Sequence, residues 1–200
     1  MDTTFWDRIY ADEAHVYGTT PNDFLREEVA RIPAGPVLCL AEGEGRNAVF
    51  LAQHRHAVTA VDQSMVGLAK ATRLAGVSGV TIETICADLG AYEPPADTFA
   101  GVVAIFAHLP APARGLMYAR AIAALRVGGC LIAEVYSPRQ LAFGTGGPKD
   151  LALLPSLETL TAELAGLELV VAREVERDVI EGRLHTGRAA TIQLVGVRRA

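Results

Sequence analysis

The segment VLCLAEGEGRNAVFLAQHRHAVTAVD, residues 37–62, constrains this chain more than any other. A short apolar run from Val37 to Ala41 meets a glycine turn, Gly43-Glu44-Gly45. An amphipathic stretch follows, and a second apolar run ends on Asp62. The periodicities spell strand, tight loop, helix and strand, with a carboxylate where the second strand stops. Such a unit lays an adenosine-containing cofactor across the carboxyl edge of a parallel sheet.

The pattern continues on both sides. Strands are predicted at 37–41, 57–61, 80–85, 100–106 and 129–136, and helices at 46–53, 64–75 and 111–126. The run GVVAIFA, at 101–107, is apolar throughout, as a strand buried on both faces should be. This alternation builds a doubly wound α/β domain. Ahead of it, Trp6 and Tyr10 share one helix face, and Asn22 or Asp23 caps a helix with an apolar stripe of Leu25, Val29 and Ile32. After it, a helix near 156–165 leads into two long strands joined by a glycine-containing turn, an antiparallel hairpin over 167–197. The 200 residues read as one domain, with 1–35 as an N-terminal helical lid.

Several classes are disfavoured. A formal charge of −5 argues against nucleic acid. The opening MDTTFWDRIY is polar and acidic early, so no leader is expected. The apolar runs are too short to span a bilayer. A soluble, cytoplasmic monomer or homodimer is expected, acting on a small molecule. Cys39, Cys86 and Cys130 have no metal-ligand spacing and read as core thiols, with no metal site expected; His54 and His56 read as surface residues.

The glycine loop admits two cofactors. Gly43-x-Gly45-x-x-Ala48 with Asp62 downstream satisfies the dinucleotide spacing. However, a pyrophosphate belongs on a helix N-terminus, and here Glu42 and Glu44 flank the first glycine, with only Arg46 to offset them. S-adenosylmethionine carries an ammonium, a sulfonium and no phosphate. Glu42 suits its ammonium end, Asp62 its ribose hydroxyls, and Asp88 its adenine amino group, with Leu89 packing on the ring. The electrostatics favour S-adenosylmethionine.

On LCLAEGEGRNAVFLA (38–52), VTAVDQS (58–64), ADL (87–89), FAHLP (106–110) and LRVGG (125–129), the chain resembles the class I S-adenosylmethionine-dependent methyltransferases. Within them it is similar to the tellurite-resistance and thiopurine methyltransferase-like branch. The resemblance implies a Rossmann-like seven-stranded sheet of order 3-2-1-4-5-7-6 with strand 7 antiparallel. It also implies cofactor contacts from Glu42, Gly43, Gly45, Asp62, Gln63, Asp88 and Leu89. Glu42 stands where most of that superfamily has aspartate, which keeps the charge.

The acceptor should sit at the switch point between strands one and four. There Phe106 faces the sulfonium region, and His108 is a candidate base or orienting group. Trp6, Tyr10 and Tyr17 are candidates for covering the cofactor cation. The segment from Tyr136 to Lys149 reads as a glycine-rich acceptor lid carrying Arg139 and Phe143. The hairpin turn adds His185, a second catalytic candidate, and Arg188; together with Arg139 and Lys149 these would make a basic acceptor pocket. The function expected is methyl transfer to a small molecule, such as a thiol, tellurite or selenite. The alternatives are a nicotinamide-dependent reductase and a non-catalytic S-adenosylmethionine-binding protein.

Overall fold

The computed structural model describes residues 3–200; residues 1–2 of the expected lid lie outside the described residues. The strands are β1 (Val37–Leu40), β2 (Val58–Asp62), β3 (Glu83–Cys86), β4 (Phe99–Ile105), β5 (Leu125–Tyr136), β6 (Glu168–Ile180) and β7 (Thr186–Val197). They form one sheet in the order β3-β2-β1-β4-β5-β7-β6. Strands β1 to β5 pair in parallel, and β7 runs antiparallel to both β5 and β6. The helices are α1 (Thr3–Tyr10), α2 (Asp23–Glu28), α3 (Arg46–Gln53), α4 (Met65–Val77), α5 (Ala111–Ala124) and α6 (Leu157–Glu163).

Strand alternation divides the core in two. Val37, Cys39, Ala60, Val103 and Ile105 face α2, α3 and α4 through Phe24, Leu25, Leu51 and Leu68. Leu38, Leu40, Val102 and Leu131 face α5 and α6 through Met117, Tyr118 and Leu160. Every residue of β1 and β4 is therefore buried, which is why both read as unbroken apolar runs. Helix α5 ends two residues earlier than its pattern predicts. Leu125 turns extended (φ −66°, ψ 138°) and is fully buried opposite Phe99 at the start of β5. Among the described residues no helix is long and apolar enough to cross a membrane.

The cysteine expectation needs one correction. Cys39 and Cys130 are buried, and burial pushes both thiols up, Cys130 to about 12. Cys86 is exposed, because β3 is an edge strand whose two end residues face solvent.

The two ends of the chain meet over the carboxyl edge of the sheet. Helix α1 docks on α4, where Asp7 accepts from the Ser64 hydroxyl at 2.5 Å. Lys70 of α4 donates to the carbonyls of Asp12 (2.8 Å) and Ala14 (2.7 Å) and pairs with Glu44 in the glycine loop. The β6–β7 turn packs so closely on this segment that a Cβ at Gly182 would lie 2.5 Å from Gly18 N and Val16 O. Arg183 in the turn pairs with Asp12 at 2.8 Å.

Beneath that contact lies a buried polar cluster. Glu134 of β5 is fully buried and bound by Arg177 Nε (2.9 Å) and Nη2 (2.7 Å) in a two-pronged pair. Asn22, Thr191 and Gln193 also donate to Glu134, at 2.6, 2.9 and 2.9 Å. Asn22 and Arg177 both reach Glu181 as well, which in turn accepts from Arg46 at 2.5 Å. Despite its burial, Glu134 has its pKa lowered, through Arg177 first and then Asn22 and Gln193. Its stabilisation is therefore present at neutral pH and is lost as pH falls through the folded pKa. Glu134→Gln leaves a buried cation short of its partner and is expected to cost about 3 kcal/mol; a loss below about 1 kcal/mol in urea melts at pH 7 would show that the pair is dispensable.

Candidate functional site

The carboxyl ends of β1 and β4 mark the point where the strand order reverses, the place where open α/β sheets bind ligands. Both strands end on a non-glycine residue in the left-handed region, Ala41 at φ 54° and Phe106 at φ 55°. A bulky residue in that region carries strain, and such strain collects at binding and catalytic sites. Beyond Ala41, the loop needs glycine at 43 for contact as well as conformation. At φ 59°, a Cβ there would meet the Tyr10 hydroxyl at 2.5 Å.

Glu42 has a different first task from the one its sequence position suggests. Its Oε1 accepts the backbone N–H groups of Asn47 (3.0 Å) and Ala48 (2.8 Å), closing the first turn of α3. The orphan donors of a helix N-terminus attract a nearby carboxylate, so Glu42 folds back onto the helix instead of standing free toward an ammonium. The same bonds occupy the donors that a pyrophosphate would need, which counts against a dinucleotide. Burial raises the Glu42 pKa to about 7, partly opposed by the bonds from Ala48 and by Arg46.

Asp62 ends β2 almost fully buried. Its Oδ2 accepts from Gly43 N and its Oδ1 from Ser64 N, each at 2.9 Å. Each oxygen keeps a second lone pair, and burial raises its pKa. This chemistry fits a pair of vicinal hydroxyl donors, such as a ribose presents. Gln63 is half-buried beside it. Asp88 is exposed, with Oδ1 bound to Gly90 N at 2.8 Å and Oδ2 available. Leu89 does not face the crevice: it is buried in the core cluster with Leu40 and Met117, because the turn after Asp88 reverses its direction. Arg46 is also turned away, buried between Glu181 and the Tyr17 carbonyl (3.2 Å).

A seam of rings crosses the edge. Trp6 stacks on Tyr10 (centroids 5.6 Å), Tyr10 meets Tyr17 edge-on (6.2 Å), and Tyr17 meets His185 (4.5 Å). His185 packs on Phe106 (4.7 Å) and Tyr136 (5.3 Å), and Phe106 stacks on Tyr136 (4.6 Å). Burial, followed by Asp62, Tyr17, Glu44 and Glu42, raises the Tyr10 pKa. Burial and Glu44 bring Tyr17 to about 12.

Both histidines are neutral. His108 falls to about 4 through burial, and His185 to about 3 through burial and then Arg46. One His108 nitrogen bonds the Leu153 carbonyl at 3.2 Å, and the other accepts from Tyr136 N at 3.5 Å, so the ring braces the ends of β4 and β5.

The segment after β5 is not a structureless loop. Pro138–Ala142 forms a 3₁₀ turn, and Gln140 ties it to Ala190 N at 2.9 Å and to Thr145 at 3.1 Å. The expected basic pocket is not assembled. Arg139 and Arg188 are exposed and share Glu176, and Lys149 is exposed, whereas Phe143 is half-buried.

Residues 37–129 match the family described as a methyltransferase domain. The seven-stranded sheet, with its seventh strand antiparallel, is the Rossmann-like methyltransferase fold. The methyltransferase match supports S-adenosylmethionine as the cofactor, in agreement with a glycine loop whose helix-terminal donors are taken by Glu42. Among solved structures, the fold is shared with a protein from the conversion of a disulfide bond into a thioacetal group during echinomycin biosynthesis (TM-score 0.79, 19% identity, 100% of this chain and 93% of that one). It is shared with TehB from Haemophilus influenzae (0.70, 15%, 98% and 67%). It is also shared with magnesium protoporphyrin IX methyltransferase from Synechocystis PCC 6803, solved with bound S-adenosylhomocysteine (0.64, 17%, 98% and 83%). No curated protein matches the chain by sequence.

Sequence reasoning missed the groups that hold this methyltransferase site together: Asn22 as a bridge, and Lys70, Glu134, Arg177 and Glu181. One signal was available for Glu134, a lone carboxylate inside the apolar run CLIAEVY.

Two measurements test the site. If Asp62 receives the ribose hydroxyls, Asp62→Ala should weaken S-adenosylhomocysteine binding at least a hundredfold by calorimetry; a change under about threefold would remove Asp62 from the site. The raised pKa of Glu42 means that the folded state holds its proton longer than the unfolded chain does. Cofactor-free stability should therefore fall as pH rises from about 4.5 to about 7. Glu42→Gln should flatten that slope in melts across the range.

Proposed function

We propose that the domain methylates the sulfur of a small, neutral thiol. The observation that carries this reading is the state of the two histidines beside Phe106: both are neutral, and His108 is already committed to backbone through both ring nitrogens. A hydroxyl or amine acceptor needs a base poised near neutral pH. A thiol ionises in water and arrives as the nucleophile. The likeness to the protein of thioacetal formation supports sulfur chemistry, and the likeness to TehB keeps tellurite and selenite as the comparison acceptors. An oxyanion would call for free cations, yet Arg139 and Arg188 both face Glu176.

When bound, S-adenosylmethionine supplies a methyl group on a sulfonium; the acceptor's S–CH₃ bond forms as the cofactor's S–CH₃ bond breaks, and that electron pair goes to the departing sulfur. Asp62 would hold the ribose, Asp88 and Gln63 the adenine side, and the glycine loop around Glu44 N the amino-acid end. Trp6, Tyr10 and Tyr17 close over the cofactor and exclude water, and the face of Phe106 suits the cation. The thiol proton leaves to solvent before transfer, so the chain's work is to position and desolvate.

Titration with S-adenosylhomocysteine, against NADH and NADPH, establishes the cofactor site; tighter binding of a nicotinamide would return the reductase reading. A thiol panel with tellurite and selenite then tests the acceptor. The rate should rise with pH and level off at each thiol's own pKa, about 8.5 for a cysteine-like thiol. A limb that stays at one pH for thiols of different acidity would mean that a protein base sets it. Turnover of the oxyanions alone would overturn the thiol assignment.

A further inference from the structure

Two polar atoms inside the ring cluster have no hydrogen-bond partner, the Tyr136 hydroxyl and His185 Nδ1. Tyr136 is fully buried and His185 is 8% exposed, so neither atom is served by bulk water. Leaving such atoms unmet is costly, and native structures rarely do so without a reason. Both residues border Gly146, where a Cβ would lie 3.2 Å from Tyr136 Oη and 3.3 Å from His185 Cδ2. Gly146 has φ 145°, a conformation that favours glycine, and a Cβ there would also lie 2.8 Å from Leu184 O, so this glycine segment closes directly over the two atoms and must shift to admit a ligand group.

We infer that Tyr136 Oη and His185 Nδ1 form a polar subsite for the acceptor and take the amide-type group of a neutral thiol. The inference rests on the thiol reading above and narrows its substrate class. A phenol and a neutral imidazole can each donate or accept, so together they serve a group that offers both an N–H and a C=O. A carboxylate in the same place would need a cation. The two arginines whose charge acts on both residues, Arg46 and Arg177, are already bound to Glu181 and Glu134. The surrounding rings of Tyr17 and Phe106 favour an uncharged occupant. The subsite also lies beside Phe106 at the end of β4, which places the amide next to the transferring centre.

The test compares N-acetylcysteamine with hexanethiol, a thiol of similar size that lacks the amide, using the full chain and S-adenosylmethionine. In Tyr136→Phe, the preference in kcat/KM for N-acetylcysteamine over hexanethiol should fall about tenfold, the worth of one neutral hydrogen bond in a closed site. Because the hydroxyl has no partner to lose, the acceptor-free melting temperature should hold or rise. His185→Asn, which keeps a polar atom near Nδ1, should retain more of the preference than His185→Leu. An unchanged preference, with hexanethiol still methylated, overturns the subsite and leaves the thiol reading standing. A lower melting temperature with both thiols weakened equally also overturns it, because the hydroxyl would then hold a buried water only. If neither thiol is methylated, the thiol reading fails. Calorimetry of N-acetylcysteamine on the S-adenosylhomocysteine-loaded protein then decides the subsite: roughly tenfold weaker binding in Tyr136→Phe supports it, and equal or absent binding overturns it.

Discussion

The structure turns on two buried carboxylates, Glu134 and Glu181, bridged by Arg177 and Asn22, with Arg46 completing the charge balance. Each component comes from a different part of the chain: the turn before α2, the start of α3, the end of β5 and the hairpin. Asn22 and Glu181 are separated by 159 residues in sequence. Buried ion pairs add little net stability compared with apolar residues of the same shape, because desolvation offsets their attraction. What they impose is conditional. An arrangement that seats one member without the others leaves a charge in the interior. The hairpin tip, the N-terminal segment and the cofactor helix must therefore take up one mutual position.

The closure over the crevice follows from that position. With Glu181 fixed on Arg46, Gly182 sits against Gly18, and His185 is brought in among Tyr17, Phe106 and Tyr136. On the other flank, Lys70 gathers the carbonyls after α1 and pairs with Glu44, which holds Tyr10 over Gly43. Tyr10 thus lies against the backbone that a cofactor would approach. It is joined to the sheet by one helix of eight residues, α1, and by side chains from α4. A short helix held by a few polar contacts opens more readily than a strand inside the sheet. The α1 flank is therefore the less firmly held of the two, while the hairpin flank is fixed by the buried charges.

Sequence made the frame legible because two periodicities carry it. The helix at 46–53 was read with its observed bounds, and β1, β2 and β4 to within a residue or so, since burial on both faces leaves no polar interruption. The glycine turn and the strand-end Asp62 were legible as neighbours on the carboxyl edge, where Gly43 N donates to Asp62. The direction of side chains past the strand ends was not legible. Leu89 turns into the core, and Glu42 turns back onto α3, because local donors and the next turn decide these, not period. The bridging roles of Asn22 and Arg177 were hidden for a different reason. Asn22 is fully accounted for in sequence as the cap of α2, accepting from Leu25 N at 2.9 Å, and nothing local reports that its amide group reaches Glu134 and Glu181.

The charge balance at this edge bears on the chemistry. Arg46, Arg177 and Lys70 each face a carboxylate, and both histidines are neutral, so the interior around Phe106 carries little net field. Methyl transfer from a sulfonium to a thiolate annihilates charge, and such reactions run faster when water, which stabilises separated charges, is excluded. A site with a strong free cation would hold the thiolate too well, and one with a free carboxylate would repel it. Pairing the nearby cations internally avoids the first effect and leaves aromatic surface around Phe106. On the thiol proposal, the buried pairs that fix the hairpin would thus also suit the crevice to a soft nucleophile, because they leave no unpaired cation beside Phe106.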